Sequence, residues 1–418
     1  MWLCGFHEYS EVDQMSVDLK QDQQSALPIA TSDARTMGEF AAEAHRTLSP
    51  AVWDYLIGGA ETETTIVRNR AALDAREFRP RVLRDVSSVD LSIELFGRRA
   101  SLPIFLAPIG SLALFDPEAA LASGRAASCA GIPMFMSLMA QPTLETVARE
   151  ISAPLIFQLY VRGDETWLAQ MVDRAEATDC AALCLTVDAP VYGRRERDLI
   201  NRFSSAAAVD RPNFNEEGIP SQIAPQQAAL TWRTVEWIRR RTRLPLVLKG
   251  IMMPEDAVLA VEHGVDAVYV SNHGGRQLDH APGALDLLEE VVCTVRGQCV
   301  VLVDGGFVRG TDILKAIALG ARAVGLGKLQ GLALAAGGAE TLTRAIGILH
   351  EELSVNMALL GCDKLSALGP GYVRKAPPLA SPYMRNSSSD LREPVRLRDD
   401  LQTRSAISTQ VSKPLSKV

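Results

Sequence analysis

Apolar residues along this chain come in short dense bursts, separated by longer stretches that mix alanine and leucine with charge. PIFLAP (103–108), PMFMS (133–137), LIFQLY (155–160) and ALCLTVD (182–188) are the first four bursts. PLVLKG (245–250), AVYVSN (267–272), VVLVDGG (300–306) and AVGLG (323–327) follow. Such runs read as buried strands of the parallel type. The stretches between them, such as 117–130 and 164–177, are rich in Ala, Glu, Arg and Leu and have helical character. Eight strands alternating with helices predict an α/β fold, a (β/α)8 TIM barrel. The interval 189–244 is too long for one helix. Its centre, 204–229, carries Pro, Asn, Gly and Gln and reads as a mobile lid after the fourth strand.

The ends of the chain break the pattern. Residues 1–40 are polar and aperiodic and read as a flexible extension. The barrel is expected over 41–365. The stretch 366–418 is rich in Pro, Ser and Arg and reads as a disordered tail or an arm on a neighbouring subunit. With 418 residues the chain has room for two average domains, but one barrel with tails fits equally well.

Composition narrows the function. A hydrophobic content of 47% supplies a large core, and 43 basic against 50 acidic residues leave a net charge of −7, which argues against nucleic acid as the main partner. No run of about 18 uncharged apolar residues is evident, so no membrane span is expected. The start, MWLCGFHEYSEVDQ, lacks the basic and apolar segments of a signal peptide. Seven cysteines are scattered, and the CxxxC pair Cys180 and Cys184 has no further ligands nearby. No metal site is expected, and free thiols fit a reducing cytoplasm.

The chemistry gathers where the bursts end. Gln158 and Tyr160, Thr186 and Asp188, Lys249, Ser271 with His273 and Arg276, Asp304, and Lys328 all follow apolar runs directly. In a barrel, that is the face that carries chemistry. Solvation of strand ends explains any one of these residues. It explains poorly a lysine, a histidine and two aspartates together. The nine residues SNHGGRQLD (271–279) are the most concentrated case. They combine a base that titrates near neutrality, a planar cation matched to carboxylate or phosphate, and two glycines that admit close approach. Gly305-Gly306 after the seventh run and Gly325-Leu326-Gly327 at the eighth fit the phosphate site of such barrels.

With DYLIGGAETE, EFRPRVLRDV, LPIFLAP, FQLYV, LTVDAPVYGRRERD, LPLVLKG, SNHGGRQLD, DILKAIALGA and MALLGC in this order, the chain resembles the FMN-dependent L-2-hydroxy acid oxidases and dehydrogenases from about Leu48 to Cys362. The resemblance implies FMN as cofactor and oxidation of a small 2-hydroxy acid to the 2-oxo acid. The flavin would then pass electrons to O2 or another acceptor, in a protein that is commonly a tetramer. By the same resemblance His273 is the base, with Asp188 as its partner. Arg276, Tyr55 and Arg195 hold the substrate carboxylate, and Tyr160 bonds near the hydroxyl or carboxylate. The α-hydrogen leaves as hydride to flavin N5, or by a carbanion route using the same residues. Lys249 stands near flavin N1 and the C2 oxygen. Gln158, Thr186 and Ser137 bond the isoalloxazine edge, Ser271 the ribityl region, and Ala107, Pro108 and Ile109 the N5 side. Asp304, Gly306, Arg309, Gly327 and Lys328 belong to the ribityl-phosphate end. His263 and His280 read as structural and surface residues, and Glu196 and Asp198 as a solvated, salt-bridged segment.

Several positions depart from that family. Val308 stands where most relatives carry an arginine near the phosphate, and Lys328 replaces an arginine fork with a point charge. Both changes predict looser FMN retention, leaving more of the phosphate to the backbone N–H groups of Gly306 and Gly327. Met139 takes a position that is often aromatic over the substrate side chain, which predicts a substrate larger than glycolate. Gly110, often alanine in oxidases, tilts the choice of acceptor slightly away from O2. Rival readings are a flavin barrel acting on a biosynthetic or peptide substrate, a flavin-dependent isomerase, and a binding protein whose flavin site has decayed.

Overall fold

The computed structural model describes residues 33–213 and 225–376. All eight bursts are strands, and they close into one barrel. In chain order the barrel strands are β1 (Ile104–Leu106), β2 (Met134–Ser137), β3 (Leu155–Leu159) and β4 (Ala182–Thr186), then β5 (Leu246–Ile251), β6 (Ala267–Val270), β7 (Val300–Val303) and β8 (Ala323–Leu326). Each pairs in parallel with the next, and β8 pairs with β1.

The interior is a packed core and not a pore, as such barrels require. Phe105, Phe135 and Tyr269 fill it with ring centroids 4.7–5.7 Å apart. Gly325 on β8 makes room for them, since a Cβ there would run into the Tyr269 hydroxyl and the Phe105 ring. A hairpin of Ile93–Leu95 and Arg98–Ala100 adds Leu95 to the same cluster. Outside the barrel the helices bury one stripe each. Leu168, Met171, Val172 and Ala175 of Glu165–Ala177 have the spacing of one helical face. The Asp164 carboxylate caps that helix by accepting from Trp167 N–H at 2.9 Å.

The body reaches past both expected boundaries. A helix, Met37–Thr47, begins inside the 1–40 extension and buries Met37, Phe40, Ala41 and Ala44. At the other end Val373–Lys375 pairs antiparallel with Arg76–Phe78. Strands of three residues are too short to show a period. The rest of the two extensions, 1–32 and 377–418, lies outside the described residues. So does 214–224 of the expected lid; the described parts of the interval 189–244 include helices Glu196–Ile200, Ser205–Ala208, Pro225–Ala228 and Trp232–Arg241.

One helix bears on the expectation that no segment spans a membrane. Helix Lys328–Leu359 is long and apolar enough to cross a bilayer by length and composition, the one such segment among the described residues. Two features favour a core helix instead. About two-thirds of the apolar window (67%) is buried inside the protein, and the backbone leaves helical geometry at Gly337 and Gly338.

Candidate active site

The end of β6 fixes an imidazole in an uncommon backbone geometry. His273, Gly274 and Gly275 have φ of 57°, 63° and 75°, and a left-handed non-glycine residue needs support from its surroundings. The Ser271 hydroxyl supplies part of it by accepting the His273 N–H at 3.1 Å. The Asn272 side chain accepts the Gly275 N–H at 3.2 Å and exchanges two hydrogen bonds with Asn69, at 3.0 and 2.8 Å.

Held this way, Nδ1 of His273 lies 3.1 and 3.2 Å from the two carboxylate oxygens of Asp188. Its Nε2 lies 3.4 Å from the Tyr160 hydroxyl. Asp188 leaves the end of β4 and lies against Gly250 of β5, where a Cβ would collide with it. Burial lowers the His273 pKa, helped by the Lys249 charge, against the opposing pull of Asp188. For Asp188 burial acts upward, but His273 and Lys249 outweigh it and hold the carboxyl below its ordinary value. The pair at neutral pH is therefore a neutral imidazole beside a carboxylate, ready to stabilise the imidazolium once a proton arrives. Burial pushes the Tyr160 phenol well up, so it stays a donor.

Two guanidinium groups flank Tyr55. Arg276 sits 4.8 Å from its ring centroid and Arg195 6.0 Å. Nη1 of Arg276 donates to the carbonyls of Tyr55 and Gly58 at 2.7 and 2.9 Å, at the C-terminal end of helix Pro50–Ile57. Burial, then repulsion from Arg195, lowers the Arg276 pKa to about 10. The Tyr55 hydroxyl donates to Ser111 at 3.2 Å. Two partly buried like charges this close are relieved by an anion, and a planar carboxylate matches their forks.

The remainder of SNHGGRQLD is scaffolding for this arrangement. Gln277 Nε2 donates to the Val191 carbonyl at 2.8 Å, tying down the loop that carries Arg195. Asp279 accepts from Thr62 N–H and Thr65 N–H at 3.0 and 2.8 Å, at the start of helix Thr64–Asp74. His263 is structural as expected, with Nδ1 2.8 Å from the Leu259 carbonyl and its ring against Trp232. Asp198 is not the solvated residue expected. It approaches Arg195 at 4.0 Å with only 17% of its side chain exposed, and burial raises its pKa.

Beneath these groups the strand ends form a layer of buried polar side chains. Lys249 Nζ donates to Ser271 Oγ at 3.1 Å, and Gln158 Nε2 to Thr186 Oγ1 at 2.9 Å. Ser137 Oγ accepts the Met139 N–H at 3.2 Å. The Tyr269 hydroxyl donates to Asp304 Oδ2 at 2.7 Å. Gln158 Oε1 and Asp304 Oδ1 are buried with no hydrogen-bond partner among the described residues. Orphaned acceptors of this kind point to donors on a ligand.

One cavity of about 240 Å³ runs over this layer. Tyr55, Met139, Tyr160, Arg195, Lys249, His273 and Arg276 line it, as do Ala107, Pro108 and Ile109 from the loop after β1. At its far end stand Asp304, Gly306, Gly327 and Lys328. Gly305 and Gly306 have φ of 111° and 84°, and a Cβ on Gly327 would meet nothing within 4 Å. That end is a cradle of backbone. Asp312 braces it by accepting from the N–H groups of Val308 and Arg309 at 3.2 and 3.1 Å and by a double contact with Arg70 at 2.9 and 2.8 Å. Lys328 Nζ donates to the Ile57 carbonyl at 2.7 Å.

Arg309 does not belong to this group. Its guanidinium pairs with Glu352 at 2.6 Å and it does not line the cavity. Gly110 also changes meaning, because a Cβ there would stand 2.7 Å from Met139 Cβ. Packing against Met139 accounts for that glycine without reference to an electron acceptor. Sequence reasoning missed Arg70, Ser111, Tyr192 and Arg211, all of which line the cavity. Tyr192, inside LTVDAPVYGRRERD, was within reach of the motif. Arg211 had no local signal.

The family described as FMN-dependent dehydrogenase matches residues 44–375. L-Lactate oxidase of Nostoc sp. is 41% identical over 361 residues, covering 82% of this chain and 99% of that protein. Glycolate oxidase of Spinacia oleracea is 39% identical, covering 81% and 95%. A crystal structure of mandelate oxidase with (S)-2-phenylpropionate superposes with a TM-score of 0.77 at 40% identity, over 82% of this chain and 98% of that one. A mandelate oxidase variant with a C4a-OH-FMN adduct superposes with a TM-score of 0.75 at 40% identity, over 81% and 99%.

Proposed function

Because the chain belongs to the FMN-dependent dehydrogenase family, we propose that this cavity oxidises an L-2-hydroxy acid to the 2-oxo acid with His273 as the base. The protein is an FMN-dependent oxidoreductase. The observation that carries the reading is one constellation: an imidazole 3.1 Å from a carboxylate, beside two guanidinium groups stacked on one tyrosine.

The residues fit FMN. The orphaned acceptors Gln158 Oε1 and Asp304 Oδ1 suit the N–H and hydroxyl donors of an isoalloxazine and its ribityl chain. Ala107–Ile109 and Lys249 line the cavity where the ring would lie, over the buried layer of Ser137, Thr186 and Ser271, and Gly306, Gly327 and Lys328 would take the phosphate. When bound, FMN supplies the two-electron acceptor for the α-hydrogen.

The chain's own residues do the rest. Arg276 and Arg195 receive the α-carboxylate over Tyr55, which fixes the C2 hydroxyl between His273 and Tyr160. His273 Nε2 takes the hydroxyl proton as the C2–O bond becomes a carbonyl and the α C–H bond breaks. Asp188, hydrogen-bonded to Nδ1, stabilises the imidazolium formed. Met139 and Ile109 face the substituent on C2. Oxidation of O–H and C–H together gives one 2-oxo acid and two reducing equivalents, which leave to O2 or another acceptor.

Two further proposals accompany this reading, a cytoplasmic location and a tetramer. The buried free thiols of Cys180, Cys184 and Cys362 support the first. Light scattering on the purified protein tests the second. The function itself is tested with FMN-loaded protein and a panel of L-2-hydroxy acids, following 2-oxo acid formation with O2 and with a dye acceptor in parallel. Product with at least one L-acid is expected, and the faster acceptor decides between oxidase and dehydrogenase. No product from any acid under either acceptor contradicts the proposal.

A further inference from the structure

Besides Arg276, Arg195 and the Arg70 that contacts Asp312, a fourth guanidinium lines the cavity, and the reaction just described leaves it without work. Arg211 lies in the long excursion after β4. Asn213, two residues on, fixes where this segment sits. Its side chain is buried, donates to the Ala140 carbonyl at 2.7 Å and accepts the Leu144 N–H at 2.8 Å. Arg174 Nη1 donates to the Asn213 carbonyl at 2.6 Å. The segment is thus fastened to the loop that follows β2 and carries Met139. Arg211 is thereby tied, through Asn213, to the loop that carries Met139, and Arg211 and Met139 both line the cavity.

Nε and Nη1 of Arg211 are buried and have no hydrogen-bond partner among the described residues. Buried guanidinium donors are costly to leave unsatisfied. Arg276 and Arg195 are the pair seated on Tyr55, so the α-carboxylate already has its cations. Arg162 stands beside the same loop, its Nη2 3.9 Å from the Met139 sulfur and 3.5 Å from the Tyr192 hydroxyl. The thioether itself is flexible and uncharged, and yields to a longer side chain.

Building on the reading of 2-hydroxy acid oxidation, we propose that Arg211 is a distal anion subsite and that the substrate is a 2-hydroxy acid whose side chain ends in a second carboxylate. One end of the diacid binds Arg276 and Arg195, and the other meets the Arg211 fork. The C2 hydroxyl is left at His273. Specificity then comes from a charge pair across the substrate and not from the volume of the pocket.

The test compares L-2-hydroxypentanedioate with L-2-hydroxypentanoate, which matches its chain length and lacks the second carboxylate. Flavin reduction is followed anaerobically in FMN-loaded wild type, Arg211→Gln and Arg211→Lys. The wild type is expected to prefer the diacid in kcat/KM by about 10- to 100-fold, the size of one charge-assisted hydrogen-bonded contact. Arg211→Gln is expected to collapse that ratio, chiefly through KM, and Arg211→Lys to restore part of it. A wild type that treats both acids alike or prefers the monoacid overturns the distal subsite, while its turnover of the monoacid leaves 2-hydroxy acid oxidation standing. An unchanged ratio in Arg211→Gln overturns the assignment to Arg211. Absence of flavin reduction by both acids, and by every simpler L-2-hydroxy acid, removes the underlying reading and this proposal with it.

Discussion

The two ends of the cavity are built from different materials. At the β6 end the chemistry is carried by side chains, each locked by a partner from another strand or helix: His273 by Asp188 at 3.1 Å, Arg276 by the carbonyls of Tyr55 and Gly58, Lys249 by Ser271. At the β7–β8 end the lining is largely backbone, with Gly305, Gly306 and Gly327 forming a cradle that Asp312 braces from behind. Side-chain chemistry fails abruptly when one atom is removed. A backbone cradle is graded, because several N–H groups share one ligand.

The contrast is broken or sharpened by four changes. The largest effect is expected from His273→Gln. It keeps a polar group of similar size and removes the base, so flavin reduction should slow by about 10²- to 10⁴-fold while FMN content stays at the wild-type level. Stopped-flow absorbance measures the first and the protein-to-flavin absorbance ratio the second. Equal reduction rates contradict the assignment of the base.

Arg276→Met comes next. Losing one charge-assisted contact with the α-carboxylate should lower kcat/KM by about 10- to 100-fold in steady-state assays. An effect confined to FMN content would move Arg276 to the other end of the cavity.

The pH profile is the third test. The base must be neutral to accept a proton, and burial together with Lys249 lowers its pKa below the ordinary 6.5. Reduction rates should therefore be flat through neutral pH and fall on the acid side only below that value, by about tenfold per unit. Asp188→Asn removes the one strong contribution that raises the pKa, so the acid limb should shift further down while the rate on the plateau falls. A limb shifted upward contradicts the pairing.

The smallest effect belongs to the backbone end. Val308→Arg adds a cation where Val308 now lines the cavity. It should tighten FMN by only about fivefold, the size of a partly solvated ionic contact, measured by flavin fluorescence on dilution. A change of several orders of magnitude would mean that the cradle binds phosphate poorly. Unmodified protein purified without added FMN should hold less than one flavin per chain after long dialysis.

The same contrast explains what the sequence disclosed. Strands buried on both faces are written as continuous apolar bursts, so all eight could be read directly, and the polar residues after them marked the reacting face. Side-chain chemistry was legible because it clusters locally, as in SNHGGRQLD. Residues placed by distant partners were not. Arg309 reads as a phosphate ligand until Glu352, far along the chain, takes its guanidinium. Arg211 is set in place by Asn213 bonding to Ala140 and Leu144, and Asp198 is drawn inward beside Arg195. Neither pairing has a periodic trace. Gly110 was misleading for the same reason, since its neighbour Met139 belongs to a different strand end.

The most direct measurement mixes FMN-loaded protein with the L and D enantiomers of one 2-hydroxy acid under anaerobic conditions, in a single turnover. If Arg276 and Arg195 fix the carboxylate and His273 takes the hydroxyl proton, the L enantiomer bleaches the flavin absorbance and yields one 2-oxo acid per flavin, and the D enantiomer leaves it yellow. Bleaching by both enantiomers at the same rate, or by none of the acids tried, would contradict the account.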